Sequence, residues 1–251
     1  MPAQEVQQDT GCLVYAIVRP RAKGTLSVPG VDGAPLRLVA HGDVAAAVND
    51  IALERPPGRR ADLVAYSQAV DDLRSGGVVV PVRYGSVMPD DEAVLEEFLA
   101  PNEAYFAELL DQLEGRAQFN VRAGYRDNAG LAEIVTADPE VAELRQRTRD
   151  LPEDAAYADR VRLGELVAQH MDAKRESDAG ILVASIAPFV AAHRVQIGSG
   201  LEGICDLNVL VDDDHRLAFE QQMEDLAEAV HERIALQLVG PIAPFDFVGE
   251  L

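Results

Sequence analysis

The sequence has little basic charge, few cysteines and no apolar run long enough to span a membrane. Only 22 lysines and arginines stand against 43 aspartates and glutamates, so the net charge is −21 in 251 residues. This excess of carboxylates repels the phosphates of nucleic acids and of anionic membranes, so we expect neither as a partner. The longest apolar run, residues 179–192, is shorter than the ~20 residues that cross a bilayer, and it contains Pro188. It is typical of a buried helix.

The two cysteines, Cys12 and Cys205, are too few for a disulfide framework or a four-ligand zinc site. Each lies in a segment predicted as a buried strand, which is the wrong environment for a reactive thiolate. The histidines show no metal-ligand spacing, and residues 1–10 lack the basic and apolar regions of a signal peptide. We therefore expect a soluble cytoplasmic protein without a metal or a cofactor.

The acidic charge is unevenly distributed along the chain. Residues 1–126 carry 12 basic and 18 acidic side chains, a net charge of −6, whereas residues 127–251 carry 10 and 25, a net charge of −15. The length suits one large domain or two ordinary ones, and a hydrophobic content of 48% is too high for a disordered acidic chain. The difference in charge indicates two units with different surfaces, divided after residue 126.

The first 126 residues predict the element order β, ββ, α, β, α, β. Strands are predicted at residues 12–18, 36–41, 44–48, 78–84 and 119–125. The second and third strands form a hairpin through Gly42-Asp43, because both residues tolerate positive φ. One helix is predicted at residues 61–75, and another begins after Pro89 and is broken or kinked at Pro101. A sheet covered by two helices on one side is an α+β arrangement related to the ferredoxin-like class.

Residues 127–251 predict the order αββαβ. A helical connector is followed by strands at residues 194–197, 204–211 and 236–239, with an amphipathic helix before the last strand. The turn Gly198–Gly203 satisfies the G-x-G-x-x-G pattern of dinucleotide sites. Since Ile204 opens a strand rather than a helix, no helix N-terminus faces this loop, which favours a hairpin turn.

The predicted fold class is therefore α+β, with two domains that are each a sheet with helices packed on it, as variants of the ferredoxin-like fold. Residues 1–126 form the N-terminal, modified ferredoxin-like domain. Residues 127–251 form the C-terminal domain, which adds the helical connector and an aromatic tail at residues 240–248.

No catalytic constellation is found, and two segments are candidates for binding a partner. Arg83, Tyr84 and Gly85 follow a predicted buried strand, where they are positioned to anchor a ligand or a loop. An arginine paired with a neighbouring acid to fix the strand end is at least as good an interpretation. Phe245 and Phe247 lie in a tail held by two prolines, and aromatic side chains in a rigid tail favour burial on this chain or on a partner.

Four blocks of the sequence together resemble the GvpL/GvpF family of gas vesicle proteins. They are the opening strand at 13–18, the segment Val80-Pro-Val-Arg-Tyr-Gly-Ser-Val87 before an acidic helix, the strand at 207–211, and the ending Gly240-Pro-Ile-Ala-Pro-Phe-Asp-Phe-Val248. Their order and spacing extend the resemblance over nearly the whole chain. The stretch at 161–167 differs from a tyrosine-leucine-lysine stretch common in the family and is similar to the actinobacterial type.

The resemblance implies a non-enzymatic accessory or minor structural protein of gas vesicle assembly, associated with gas vesicles in the cytoplasm. It implies the small hydrophobic shell protein and other gas vesicle accessory proteins as partners, and it implies no catalytic residues. An acidic protein with an apolar groove or an exposed sheet edge would hold an aggregation-prone shell subunit and keep it dispersed. The alternative is a small-molecule-binding enzyme or sensor built on paired ferredoxin-like domains, which a deep polar pocket would favour.

Overall fold

The structure is a computed structural model that describes residues 10–20, 26–53, 58–149, 152 and 155–249. The prediction that residues 1–10 are not a signal peptide concerns a segment of which only Thr10 lies among the described residues. The predicted α+β class is confirmed, because the chain forms two antiparallel sheets with helices packed on them. Contacts divide the chain into two compact units. The first comprises the described residues of Met1–Gln118 and Pro241–Leu251, and the second is formed by those of Phe119–Gly240.

The first unit is built on one sheet. Its strands are β1 (Thr10–Val18), β2 (Arg37–His41), β3 (Val44–Ala52), β4 (Val79–Pro81) and β5 (Val87–Met88). Its helices are α1 (Arg60–Ser75), α2 (Asp91–Ala93) and α3 (Glu103–Leu113), the last two joined by a π-helix at Val94–Leu99 and a 3-10 turn at Ala100–Asn102. The strand order is β2-β3-β1-β4, with β5 also paired to β1, and the predicted hairpin at Gly42-Asp43 is confirmed.

Helices cover both faces of this sheet, so the expectation of helices on one side is wrong. Successive residues of a strand point to opposite faces. The Tyr15 ring of β1 stacks on Tyr66 of α1, whereas the Cys12 thiol of the same strand lies 3.3 Å from the carboxylate of Asp91 in α2. The whole of β1 after Thr10 is buried, as a continuous apolar run predicts.

The second unit has the strand order of a ferredoxin-like domain. Its strands are β6 (Arg116–Tyr125), β7 (Ala192–Ile197), β8 (Gly203–Asp212) and β9 (Ile234–Ile242). Its helices are α4 (Ala129–Ala137), α5 (Pro139–Arg149), α6 (Tyr157–Ile186) and α7 (Arg216–Val230). The sheet order β7-β8-β6-β9 is the order 2-3-1-4 within the unit. The apolar run from residue 179 continues α6, and the Gly198–Gly203 segment is the predicted turn between β7 and β8.

The boundary between the units differs from the one placed after residue 126. The chain passes from the first unit to the second within β6 and returns within β9, so the aromatic tail belongs to the first unit. A shift in charge along the sequence carries no information about which core a strand or tail joins. Counted by these units, the first carries 10 basic and 20 acidic side chains, a net charge of −10, and the second carries 12 and 23, a net charge of −11. The expectation of two differently charged units is therefore wrong.

A cluster of charged side chains surrounds the buried carboxylate of Asp178 in the second unit. The Asp178 carboxylate of α6 is buried, accepts a 2.7 Å hydrogen bond from the Tyr125 hydroxyl and lies 2.9 Å from the Arg233 guanidinium. Arg233 also binds Glu133 of α4 through two nitrogens, and Lys174 contacts both carboxylates. The cluster is electrically balanced and joins two helices to the ends of β6 and β9.

Candidate functional site

A cavity of about 300 Å³ in the first unit brings together most of the residues singled out in the sequence. Three segments form it: helix α1, the chain leaving β4, and the C-terminal tail. Its lining residues are Leu63, Tyr66, Ser67, Pro81, Arg83, Tyr84, Phe245, Val248 and Gly249. Arg83, Tyr84 and Phe245 therefore share one site, although 161 positions separate Tyr84 from Phe245.

A tight turn positions Arg83 and Tyr84 at the cavity. Strand β4 ends at Pro81 and is shorter than the predicted strand at 78–84, although the Val82 N–H still donates to the Tyr15 carbonyl of β1 at 3.0 Å. The Arg83 carbonyl accepts hydrogen bonds from the Ser86 backbone N–H at 3.2 Å and from the Ser86 hydroxyl at 2.9 Å. Gly85 has φ +94°, which suits the third position of a type II turn and favours glycine there. Gly85 thus shapes the site but does not line the cavity.

Tyr66 joins the cavity to the core of the first unit. Its ring lies 4.8 Å from that of Tyr15, nearly parallel, and 5.0 Å from that of Tyr84, edge to face. Its hydroxyl lies within hydrogen-bond distance of three backbone carbonyls, those of Val14, Tyr15 and Val82. Burial raises the pKa of Tyr66 far above its usual value, so this hydroxyl is a permanent donor. We name Tyr15, Tyr66 and Tyr84 the tyrosine column.

The C-terminal tail is fixed to the first unit at several points. Ala243 and Val248 are buried, and the Val248 carbonyl accepts a 3.1 Å hydrogen bond from the Tyr105 hydroxyl. The side chain of Gln118 accepts from the Asp246 backbone N–H at 3.0 Å and donates to the Asp246 carboxylate. With its neighbours held, Phe245 remains 37% exposed at the cavity. Phe247 is not among the lining residues.

Two polar groups at the cavity have no partner in the described part of the chain. The Arg83 side chain is exposed and forms no ion pair with any described residue, so the interpretation in which a neighbouring acid fixes it finds no support there. The Tyr84 hydroxyl oxygen is buried and has no hydrogen-bond partner among the described residues. A free cation beside an unsatisfied hydroxyl is chemically suited to an acceptor or anion supplied from outside.

Leu63 is a lining residue that the sequence assigns to the core. The spacing of three and four residues places it with Tyr66, Val70 and Leu73 on one apolar face of α1. Tyr66, Val70 and Leu73 are buried, but Leu63 is 48% exposed beside Phe245. Periodicity identifies the face of a helix, but it carries no signal for where the covering elements end.

The second unit has a larger, more polar cavity of about 540 Å³ beside the Gly198–Gly203 turn. Its most strongly charged pair, Arg122 and Asp206, is already joined at 2.7 Å. Gly198 and Gly203 approach so closely that a Cβ on Gly198 would lie 2.7 Å from the Gly203 carbonyl carbon. This packing explains Gly198 and Gly203, and the φ of +73° explains Gly200, without a bound nucleotide.

Both thiols are buried, as predicted. Burial and a hydrogen bond with Asp91 raise the pKa of Cys12 to about 12, and burial raises that of Cys205 to about 11. Among the described residues no group of three or more His, Cys, Asp or Glu side chains is arranged to hold a metal ion. Within the same residues, no helix combines the length and apolar character needed to cross a membrane.

Comparisons with known proteins agree over the length of the chain. The profile of the family described as gas vesicle synthesis protein GvpL/GvpF matches residues 11–249. Gas vesicle protein F of Streptomyces sp. (strain CB03234) is 30% identical over 241 residues, which cover 94% of this chain and 98% of that protein. Gas vesicle protein L of the same strain is 28% identical and covers 94% of this chain and 92% of its own length.

Solved structures show the same fold. The crystal structure of GvpF from Anabaena sp. PCC7120 matches with a TM-score of 0.81 at 19% identity, and that of GvpF from Microcystis aeruginosa with 0.77 at 16% identity. Each match covers 95% of this chain and 98% of the other. With the profile match over residues 11–249, these findings establish that the chain belongs to the GvpL/GvpF family of gas vesicle synthesis proteins.

Proposed function

We propose that this chain is a non-enzymatic accessory or minor structural protein of gas vesicle assembly that binds the small hydrophobic shell protein. The proposal includes other gas vesicle accessory proteins as partners and a location in the cytoplasm in association with gas vesicles. Family membership supports the gas vesicle role. The observation that supports binding is the cavity of the first unit, with the apolar side chains of Leu63 and Phe245 half exposed at it.

The chemistry of this site suits an apolar client. Aromatic side chains offer a large contact area at low cost in conformational entropy, and an apolar centre surrounded by charge is the usual arrangement of an interface. Both units carry a net charge near −10, so the surface around the site repels other copies of the protein. A bound apolar subunit would therefore stay dispersed.

The alternative of a small-molecule enzyme or sensor has weaker support. The polar cavity of the second unit is its best candidate, yet the Arg122 and Asp206 side chains there are already paired with each other. A catalytic site usually places titratable groups where burial or a neighbouring charge perturbs them for use. We therefore prefer the binding protein.

The test is capture of the shell protein by the purified full chain. Deleting residues 241–251 is a poor variant, because Ala243 and Val248 belong to the core of the first unit. The substitution Phe245→Asp instead places a charge at the cavity while the buried residues stay in place. Leu217→Asp is the matched control, because Leu217 is an apolar residue on the second unit that is 80% exposed.

We expect Phe245→Asp to abolish co-purification of the shell protein and Leu217→Asp to leave it unchanged, with both variants showing the circular dichroism spectrum of the wild type. Equal capture by all three proteins would remove the cavity from the proposal.

A further inference from the structure

We propose that the cavity of the first unit recognises a protein segment in which an apolar side chain stands directly next to a carboxylate. This inference rests on the proposed function and specifies the chemistry of the partner's segment. It is carried by three features that meet at one place: an apolar pocket, a free guanidinium and a buried hydroxyl without a partner.

The size of the cavity indicates a side chain rather than a cofactor. Pockets for small ligands range from about 300 to 1,000 Å³, so 300 Å³ lies at the lower end. The walls are the rings of Tyr66 and Phe245 with Leu63, Pro81 and Val248. Such walls suit one or two apolar side chains of a peptide.

Arg83 supplies the charge selectivity. Its guanidinium is an exposed cation without an ion pair among the described residues, on a chain whose net charge is −21. A guanidinium binds a carboxylate through two parallel hydrogen bonds. Because Arg83 and the apolar walls line the same cavity, the carboxylate must lie next to the inserted apolar residue.

Tyr84 supplies the third contact. Its hydroxyl is buried and unpartnered, and a buried polar group without a hydrogen bond is unusual in a folded protein. Burial raises the pKa of Tyr84, and the carboxylates of Asp62 and Asp32 raise it further, so the hydroxyl keeps its proton. Because the oxygen is closed to solvent in the free protein, the Tyr84 side chain must turn toward the cavity to donate to a backbone carbonyl or a carboxylate oxygen of the bound segment.

These features favour a protein segment over the other anionic ligands. A nucleotide or an anionic lipid surface presents several negative charges, and the site offers one cation on a strongly acidic chain. A segment with a single carboxylate beside an apolar residue satisfies all three contacts at once.

The experiment is a nuclear magnetic resonance titration of the full-length ¹⁵N-labelled protein with two capped peptides, acetyl-Ala-Leu-Glu-Ala-amide and acetyl-Ala-Leu-Gln-Ala-amide. We expect shifts in the amide signals of residues 83–86 and 245–249, and about three- to fivefold tighter binding of the glutamate peptide, the range of an exposed ion pair. Raised salt should reduce that preference.

Two variants and a control identify the groups. Arg83→Gln should remove the preference for the glutamate peptide but keep the shifts, whereas Arg145→Gln, an exposed arginine of the second unit, should keep both. Tyr84→Phe should weaken binding of both peptides to a similar extent.

Equal binding of the two peptides, or a preference that survives in Arg83→Gln, would overturn the inference. If no peptide binds but capture of the shell protein still depends on Phe245, the proposed function stands and the specified chemistry fails. If the peptides bind as expected and capture does not depend on Phe245, the site has the inferred specificity and the shell protein is not its client.

Discussion

The two units share a strand order but connect their strands differently. Within each unit the sheet has the order 2-3-1-4. In the second unit, helices α4, α5 and α6 connect the first strand to the second. In the first unit, the described residues 26–36 of the corresponding connection form a 3-10 turn at Val31–Gly33 and a β-bridge between Pro29 and Pro35, with no α-helix among them. The first unit is instead supplemented by the C-terminal tail, and that tail completes its cavity.

The interiors differ as much as the connections. The first unit has the tyrosine column, in which the Tyr15 hydroxyl donates a 2.9 Å hydrogen bond to the buried Asn49 amide and the Tyr66 hydroxyl donates to backbone carbonyls. The second unit has the balanced ionic cluster around Asp178. One topology therefore tolerates either stacked buried tyrosines or a buried carboxylate with cationic partners, and the nearly equal net charges of the units, −10 and −11, do not distinguish their roles.

Each unit contains one buried cysteine, which allows the opening free energies of the two units to be compared by experiment. Cys12 lies in β1 of the first unit and Cys205 in β8 of the second. A buried thiol is modified only when its surroundings open, so the labelling rate of each thiol reports the opening free energy of its own unit. Mass spectrometry of the labelled peptides separates the two rates.

The largest effect is expected from Asp178→Ala. The substitution removes the buried acceptor of the Tyr125 hydroxyl and one of the two carboxylates that bind Arg233 and Lys174, and losing these hydrogen bonds to a charged group costs about 3 kcal/mol. We expect labelling of Cys205 to become about a hundredfold faster, while that of Cys12 changes little. Glu143→Ala is the control, because its partner Arg147 is an exposed neighbour on α5. A similar acceleration of both thiols would show that the units do not open separately.

A smaller effect, on the first unit and not on the second, is expected from Tyr66→Phe. The change keeps the aromatic packing but leaves buried carbonyls without their donor, which costs about 1–2 kcal/mol. Labelling of Cys12 should become about tenfold faster and that of Cys205 should not change. Tyr157→Phe, at an exposed tyrosine of the second unit, serves as control. An unchanged rate for Cys12 would mean that the tyrosine column does not hold the first unit together.

The smallest effect concerns pH. Hydrogen bonds from Arg233 and Lys174 lower the pKa of Glu133 below its ordinary 4.5. A carboxyl group whose pKa is lower in the folded than in the unfolded state stabilises the protein at pH values above its unfolded-state pKa. This contribution is lost as the pH falls through the folded-state pKa. Glu133→Gln should therefore reduce stability at pH 7 by less than about 1 kcal/mol, since Glu133 is partly exposed.

Urea unfolding at several pH values checks this prediction. The difference between wild type and Glu133→Gln should narrow as the pH falls below 4.5. Glu143→Gln is again the control, and a difference that stays constant down to pH 3 would contradict the assigned role of Glu133.

Local patterns predicted most elements, because hydrophobic periodicity and turn residues act within a few positions of the chain. The buried strand at residues 12–18, the Gly42-Asp43 hairpin and the glycine turn before Ile204 all follow from such patterns. The boundary between the units does not follow from local patterns. Strands β6 and β9 each begin in one unit and end in the other, and composition carries no signal for such a crossing.

The candidate site was predictable only in pieces. Arg83 and Tyr84 were visible at a strand exit and Phe245 in a proline-bound tail, but nothing in a single sequence indicates that these segments meet. The half-exposed Leu63 was assigned to the core for the same reason. Long-range contacts depend on packing between elements, which local periodicity does not determine.

The central claim is that partner binding belongs to the first unit, and hydrogen–deuterium exchange of the full chain with and without the shell protein tests it most directly. The account predicts slower exchange in the complex at the start of α1, at residues 83–86 and at residues 244–249. It predicts no change in β7, whose side chains are mostly exposed at the edge of the second sheet. Protection of β7 with unchanged exchange at residues 83–86 and 244–249 would contradict the account.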